Sequence, residues 1–309
     1  MRVSTILCCH VFDKNLIKSV KSILDQNYND HELILLFDNP NLENFLKLKE
    51  IIIKENTKNI NINFVQNKTN IGLTKSLNKA IELSNGDFIM RQDSDDISEK
   101  SRMSELVSYL KKNSDKNLVY SNVKVIDDFD NLIKFKINYL FINKFFNSHN
   151  FRNSISHPSI MFRKKIFYKI NGYDERFLVS QDYDLTHKFI QDSRYSIGKI
   201  NKYLYNLRYS KNSISKRYSN DQHKNSVIII FKYNFIFFKK KFESMKTTDQ
   251  MFLYLQNKNK NVTQNSIYYS YMIDTKIPFR IISNPIFIVL IIIRYLFHPN
   301  LFLKRLTKK

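Results

Sequence analysis

Three carboxylates fall within four residues at Asp93-Ser94-Asp95-Asp96, directly after the apolar run that ends at Met90. Charges set this close repel one another unless a cation or solvent relieves them. In extended backbone Asp93 and Asp95 project to the same side. Such a pair suits Mg2+ or Mn2+, which bind through one or two carboxylates and fill their remaining positions with water and substrate phosphate oxygens. The same residues also read as a solvated acidic turn. Further groups able to do chemistry are Asp38, which follows the strand-like run Glu32–Phe37, and the acidic set Asp174, Glu175, Asp182 and Asp184. His157, ahead of Pro158, is either a pocket residue or a hydrogen-bonded structural histidine, and His10 reads as structural.

The elements that must position these groups alternate between strand and helix periodicity. Val3 to Cys8 predicts a buried strand, and Asp13 an N-cap for a helix with Leu16, Ile17, Val20, Ile23 and Leu24 on one face. Glu32 to Phe37 predicts a second strand, closed by the turn Asp38-Asn39-Pro40. A helix over Leu42–Ile53 precedes alternation at Ile60, Ile62 and Phe64. Leu73, Leu77, Ala80 and Ile81 then form another apolar helix face, and Asp87–Met90 a short strand. This order predicts a mainly parallel sheet with helices on both faces, whose ligands bind beyond the carboxyl ends of the strands. Cys9-His10, Asp38 and Asp93 all fall at such ends.

From about 100 to 215 the pattern is mixed, with a helix and a strand near Leu118–Ile126; after 215 the chain turns aromatic and basic. The Tyr218–Phe242 stretch reads as core, or as a surface that stacks on a sugar or lipid. Ile277–Phe297 is the most apolar segment, but Pro285 interrupts it, and its unbroken run is shorter than the ~20 residues a spanning helix needs. A helix lying in a membrane interface, aided by Arg280, Arg294 and the terminal lysines, fits better than a helix packed on the domain. The chain has 309 residues and a formal net charge of +22, which favours anionic partners. Nucleic acid is disfavoured as that partner, because no zinc-ligand spacing, RNP-type sequence or glycine-rich nucleic-acid loop occurs. Cys8 and Cys9 are adjacent on a strand and point to opposite faces, which argues against a disulfide between them and for a reducing, cytosolic setting. No secretory signal is visible in the sequence.

Several segments, taken in order, resemble the bacterial inverting glycosyltransferases of family 2, which have the GT-A fold. They are Ser22-Ile23-Leu24-Asp25-Gln26-Asn27-Tyr28, Glu32-Leu33-Ile34-Leu35-Leu36-Phe37-Asp38, Asn70-Ile71-Gly72, Leu77-Asn78-Lys79-Ala80-Ile81 and Gly86-Asp87-Phe88-Ile89 leading into Asp93-Ser94-Asp95-Asp96. His157-Pro158-Ser159, Gly172-Tyr173-Asp174, Ser180-Gln181-Asp182-Tyr183-Asp184-Leu185 and Leu207-Arg208 continue the series, so the resemblance covers residues 2 to 215. It implies an α/β, Rossmann-like nucleotide-sugar-binding domain over 1–215, with a donor half (1–100) and an acceptor and catalytic half (101–215). A basic, aromatic, mainly helical region follows over 216–309.

The resemblance also implies roles. Asp38 would hydrogen-bond the nucleobase, the backbone near Cys9 would contact the nucleoside, and Asn70 would belong to the donor side. Asp93 would face the ribose and metal, with Asp95 the principal ligand of Mn2+ or Mg2+. Arg208 would reach the diphosphate, Lys75 would either do so too or be a solvated lysine, Asp182 would be the general base, and His157 and Gln181 would line the acceptor side. The chain departs from the family pattern at Cys8 and Cys9, at Phe37 in place of a first Asp, at Gln181 in place of Glu, and at Ser210 in place of a His. Gln181 and Ser210 leave an inactive family member as a further reading. The expected activity is inverting transfer from a nucleotide sugar, with UDP-sugar the expected donor, to a hydroxyl of a glycan or lipid-linked glycan. The expected setting is bacterial capsule, O-antigen or lipooligosaccharide synthesis at the cytoplasmic face of the inner membrane. Transfer to polyprenyl phosphate or protein is the enzymatic alternative, and a basic nucleic-acid-binding protein the non-enzymatic one.

Overall fold

The computed structural model describes residues 1–140, 153–192, 196–209 and 218–238. The chain divides into two compact units, Met1–Phe235 and Ile236–Lys309. The expected interfacial segment Ile277–Phe297, like Ser210, lies outside the described residues. No helix among the described residues is long and apolar enough to cross a membrane.

The first half alternates as its periodicity predicts: β1 (Val3–Cys9), α1 (Lys14–Leu24), β2 (His31–Phe37), α2 (Leu42–Glu55), β3 (Asn61–Gln66), α3 (Leu73–Glu82) and β4 (Phe88–Gln92). Every residue of β1, β2 and β4 is buried, as expected of strands covered on both faces. Asp13 caps α1 by accepting from the Leu16 amide at 2.9 Å. The second half adds β5 (Ile97–Ser98), α4 (Arg102–Lys112), β6 (Leu118–Ile126), β7 (Leu132–Lys136), β8 (Ile160–Arg163), α5 (Lys164–Lys169), α6 (Gln181–Asp192), β9 (Ile197–Arg208) and α7 (Ser219–Phe238).

The nine strands form one sheet in the order β3-β2-β1-β4-β8-β6-β9-β5, with β7 beside β6. β3, β2, β1 and β4 run parallel, whereas β8 is antiparallel to both β4 and β6. The chain builds outward from β1 to β3 and then returns to place β4 on the other side of β1. That reversal opens a crevice at the carboxyl ends of β1 and β4, where open α/β sheets bind ligands. Apolar clusters cover the two faces, one around Leu7, Leu16, Leu35 and Met90, the other around Ile6, Leu36, Ile89 and Phe162.

One core residue sets a pH limit on the fold. His31 opens β2 almost fully buried, and neither ring nitrogen has a hydrogen-bond partner. Burial, helped by Lys58, lowers its pKa to about 4. Because the unfolded imidazole titrates near 6.5, the unfolded chain binds the extra proton first as pH falls. Stability is therefore lost between about pH 6.5 and 4. His31→Leu is expected to reduce that loss by on the order of 1–2 kcal/mol, read from urea midpoints at pH 7 and 4.5.

Candidate active site

β4 carries the chain into the acidic loop, and the loop is held along its backbone. Ser19 of α1 donates its hydroxyl to the Asp93 carbonyl at 2.8 Å, and the Asp93 amide donates to the Tyr205 hydroxyl at 3.0 Å. The Arg208 Nε donates to the Asp95 carbonyl at 2.8 Å, while its amide donates to Asp96 Oδ1 at 2.6 Å. Gln92 Nε2 donates both to Ser19 Oγ and to the Asp96 carbonyl. Beneath lies Arg102, fully buried, donating to Gln92 Oε1, Ser98 Oγ and the carbonyls of Arg91 and Pro158. Three carboxylates are thus kept in place although they repel one another.

The three differ in environment. Asp93 pairs with the buried Arg91 guanidinium through Oδ1. Burial works against the Arg91 charge, but the Asp93 carboxylate overcomes it and raises the Arg91 pKa. Asp95 is partly buried, and desolvation together with Asp93 pushes its pKa up to about 6. Asp96 is buried inward, and desolvation with its two acidic neighbours pushes its pKa well above the ordinary range. A divalent cation fits Asp93 and Asp95, since it would relieve that repulsion. Among the described residues no group of three or more His, Cys, Asp or Glu side chains is arranged to hold a metal by itself.

At the ends of β1 and β2, Asp38 has a task that sequence reasoning missed. Its carboxylate accepts from Asn67 Nδ2 (2.8 Å), the Ile71 amide (2.9 Å) and the Gly72 amide (2.8 Å). It therefore shapes the loop that leads into α3, in which Gly72 takes the left-handed φ of 85°. Asn70 accepts from the same Gly72 amide through Oδ1 at 3.1 Å. Cys9 is buried; its thiol faces the Leu36 carbonyl, and its own carbonyl accepts from the Asp38 amide at 2.7 Å. Lys75 is exposed on α3.

Across the crevice, Asp182 stands in the first turn of α6, next to the buried Gln181. Asn153 Nδ2 donates to Asp182 Oδ2 at 2.6 Å. Burial raises the Asp182 pKa; the Tyr183 amide and Asn153 oppose the rise, while the Asp93 charge adds to it. His157 Nε2 meets the Tyr173 hydroxyl at 2.7 Å, and burial with the nearby Arg91 cation drives the imidazole pKa well below normal. Tyr173 thus holds a neutral His157 in place.

Arg208, the expected diphosphate contact, is held by groups of the protein itself. Besides its bond to Asp95, Nη1 donates to the Asp127 carbonyl and Nη2 to Asp130 Oδ1, so all three guanidinium nitrogens are engaged within the protein. Arg91, Arg102, Tyr205 and Asn153 were not singled out from sequence. Arg91 alone left a trace, lying between a buried strand and the acidic cluster.

A family model described as Glycosyl transferase family 2 matches residues 4–170. The chain is similar to an uncharacterized glycosyltransferase of Methanocaldococcus jannaschii, 34% identical over 201 residues, covering 63% of this chain and 66% of the relative. It is 31% identical over 192 residues to the O-antigen biosynthesis glycosyltransferase WbnJ of Escherichia coli, covering 62% of this chain and 72% of that one. Among solved structures, S. aureus TarS residues 1–349 in complex with UDP-GlcNAc superposes with a TM-score of 0.59 at 15% identity, over 76% of this chain and 68% of that one.

Proposed function

The chain belongs to glycosyl transferase family 2, and from that premise we propose that its crevice transfers a sugar, with inversion, from a nucleoside-diphosphate donor to a glycan hydroxyl. The observation that carries this reading is the acidic loop at the carboxyl end of β4, where Ser19, Tyr205 and Arg208 hold the backbone of Asp93 and Asp95 in place. Direct displacement needs a base on the face of the sugar opposite the departing diphosphate. Asp182 accepts the proton of the acceptor hydroxyl, the hydroxyl oxygen bonds to the anomeric carbon, and the bond from that carbon to the diphosphate oxygen breaks. Asp93 and Asp95 would hold Mn2+ or Mg2+, which supplies Lewis-acid stabilisation of the charge on the leaving diphosphate. Asp38 organises the nucleoside end through the Asn70-Ile71-Gly72 loop.

The UDP-GlcNAc held by TarS supports a UDP-sugar as donor, and the part of WbnJ in O-antigen biosynthesis supports a surface polysaccharide as product. In this reading residues 1–100 serve the donor, 101–215 the acceptor and the chemistry, and the basic 216–309 region an anionic inner-membrane surface that presents a lipid-linked acceptor. The test is release of nucleoside diphosphate from a panel of nucleotide sugars with Mn2+, with and without chelator, in the presence of lipid-linked glycan acceptors. Turnover of one donor, abolished by chelator, is expected. No turnover of any donor, alongside tight salt-sensitive DNA binding, would overturn the reading.

A further inference from the structure

The turn between β6 and β7 lies outside the crevice, yet it is wired to the acidic loop. Asp130, in that turn, accepts from Arg208 Nη2 through Oδ1 and from Lys18 Nζ through Oδ2. Arg208 belongs to β9 and holds the Asp95 carbonyl, while Lys18 belongs to α1, where its neighbour Ser19 holds the Asp93 carbonyl. One carboxylate therefore joins the two elements that grip the two ends of the Asp93–Asp95 segment. A guanidinium is a rigid planar fork, so fixing Nη1 on Asp127 and Nη2 on Asp130 also fixes where Nε points.

The backbone shows that this carboxylate is not needed for the turn itself. Asp127 already closes it, accepting through Oδ1 from the amides of Phe129 (2.9 Å) and Asn131 (2.8 Å), and its own amide donates to the Asn131 carbonyl at 2.9 Å. Asp130 sits at φ 71°, where glycine would be free of the strain that a Cβ introduces. A residue kept in a left-handed conformation, with both oxygens turned onto cations of other elements, serves those cations rather than the turn.

We propose that Asp130 is a positioning residue for the donor site: by bridging Arg208 and Lys18 it sets the acidic loop in the geometry that receives the diphosphate and its cation. The inference rests on the donor-site reading above. Asp130 touches no reacting atom; it acts through Arg208 on Asp95, as an outer-shell partner orients a ligand.

Asp130→Gly separates the two roles of the position, since it relieves the backbone and deletes the carboxylate. The full chain, titrated with UDP by calorimetry at fixed Mn2+ and again with chelator, reads the effect without requiring turnover. Asp130→Gly is expected to weaken Mn2+-dependent UDP binding about tenfold, while the backbone relief at φ 71° offsets part of the stability lost with the two ion pairs. Binding measured in chelator should be unchanged. In an Arg208→Ala background the same substitution should add little, because the path runs through that guanidinium. Asp130→Asn, which also tolerates left-handed backbone, should give a smaller loss and guards against a folding defect in the glycine variant. Mn2+-dependent binding equal to wild type in both variants, or a full additive loss in the Arg208→Ala background, overturns the proposal. Failure of the wild-type chain to bind UDP in Mn2+ would overturn the donor-site reading and the proposal with it, so the two failures are told apart by the wild-type arm.

Discussion

Asp182→Asn is expected to lower sugar transfer about 10³-fold while leaving UDP binding in Mn2+ within about twofold of wild type. The amide keeps the size and the oxygen that Asn153 contacts, but it cannot accept the proton of the incoming hydroxyl. The donor site is untouched, because the residues assigned to the nucleotide end sit on β1, β2, the α3 loop and the acidic loop. The pH dependence gives a second readout. Burial raises the Asp182 pKa, against the opposing hydrogen bonds from Tyr183 and Asn153. Since the base works ionised, kcat/KM for the acceptor should climb with pH and level off above the ordinary carboxylate range near 4. That acidic limb should vanish from the residual activity of the variant. Asn153→Ala should move it upward, because Asn153 favours the ionised form. Full transfer by Asp182→Asn would assign the base to another residue.

Asp182 could be singled out from its sequence company, but the environment that would tune it could not. The parallel half of the sheet is legible because each strand is a continuous apolar run and each helix has one apolar face; Asp13 even announces its cap. The later half is harder, since β5 and β8 span only Ile97–Ser98 and Ile160–Arg163, too short for periodicity. Charged residues are ordinarily read as exposed, so Arg91 and Arg102 give no sign that both are buried under the acidic loop. Arg208 shows the same limit. Its sequence setting points toward phosphate, while its partners Asp95, Asp127 and Asp130 are brought to it only by the pairing of β9 with β6 and β5. Only the place of Asp38 at a strand end is legible from its local sequence. Its grip on the Ile71 and Gly72 amides depends on how the following loop folds back, which no local pattern encodes.

Asp95→Asn is expected to separate stability from function more sharply than any other change in the site. The Asp95 pKa is pushed up to about 6 in the folded chain by desolvation and by Asp93, against about 3.9 for an unfolded aspartate. The folded form therefore binds the extra proton first, and ionising Asp95 costs stability as pH rises from about 4 through 6. In chelator at pH 7, Asp95→Asn should melt higher than wild type, and the gap should close toward pH 4, where both side chains are neutral. The same substitution should lower Mn2+-dependent transfer by on the order of 10²-fold or more, since a cation on the diphosphate is worth several kcal/mol to the departing charge. Its neighbours should behave differently. Asp93 is already paired with Arg91, so Asp93→Asn would leave that buried cation short of its partner and lower the melting temperature. Asp96 is buried and accepts from the Arg208 amide, so Asp96→Asn should act through the loop rather than through the cation. Both outcomes together would mark Asp95 as a carboxylate that costs the empty site stability and serves the loaded one through a cation. An Asp95→Asn variant that melts below wild type in chelator, or transfers sugar as well as wild type, would remove Asp95 from that role.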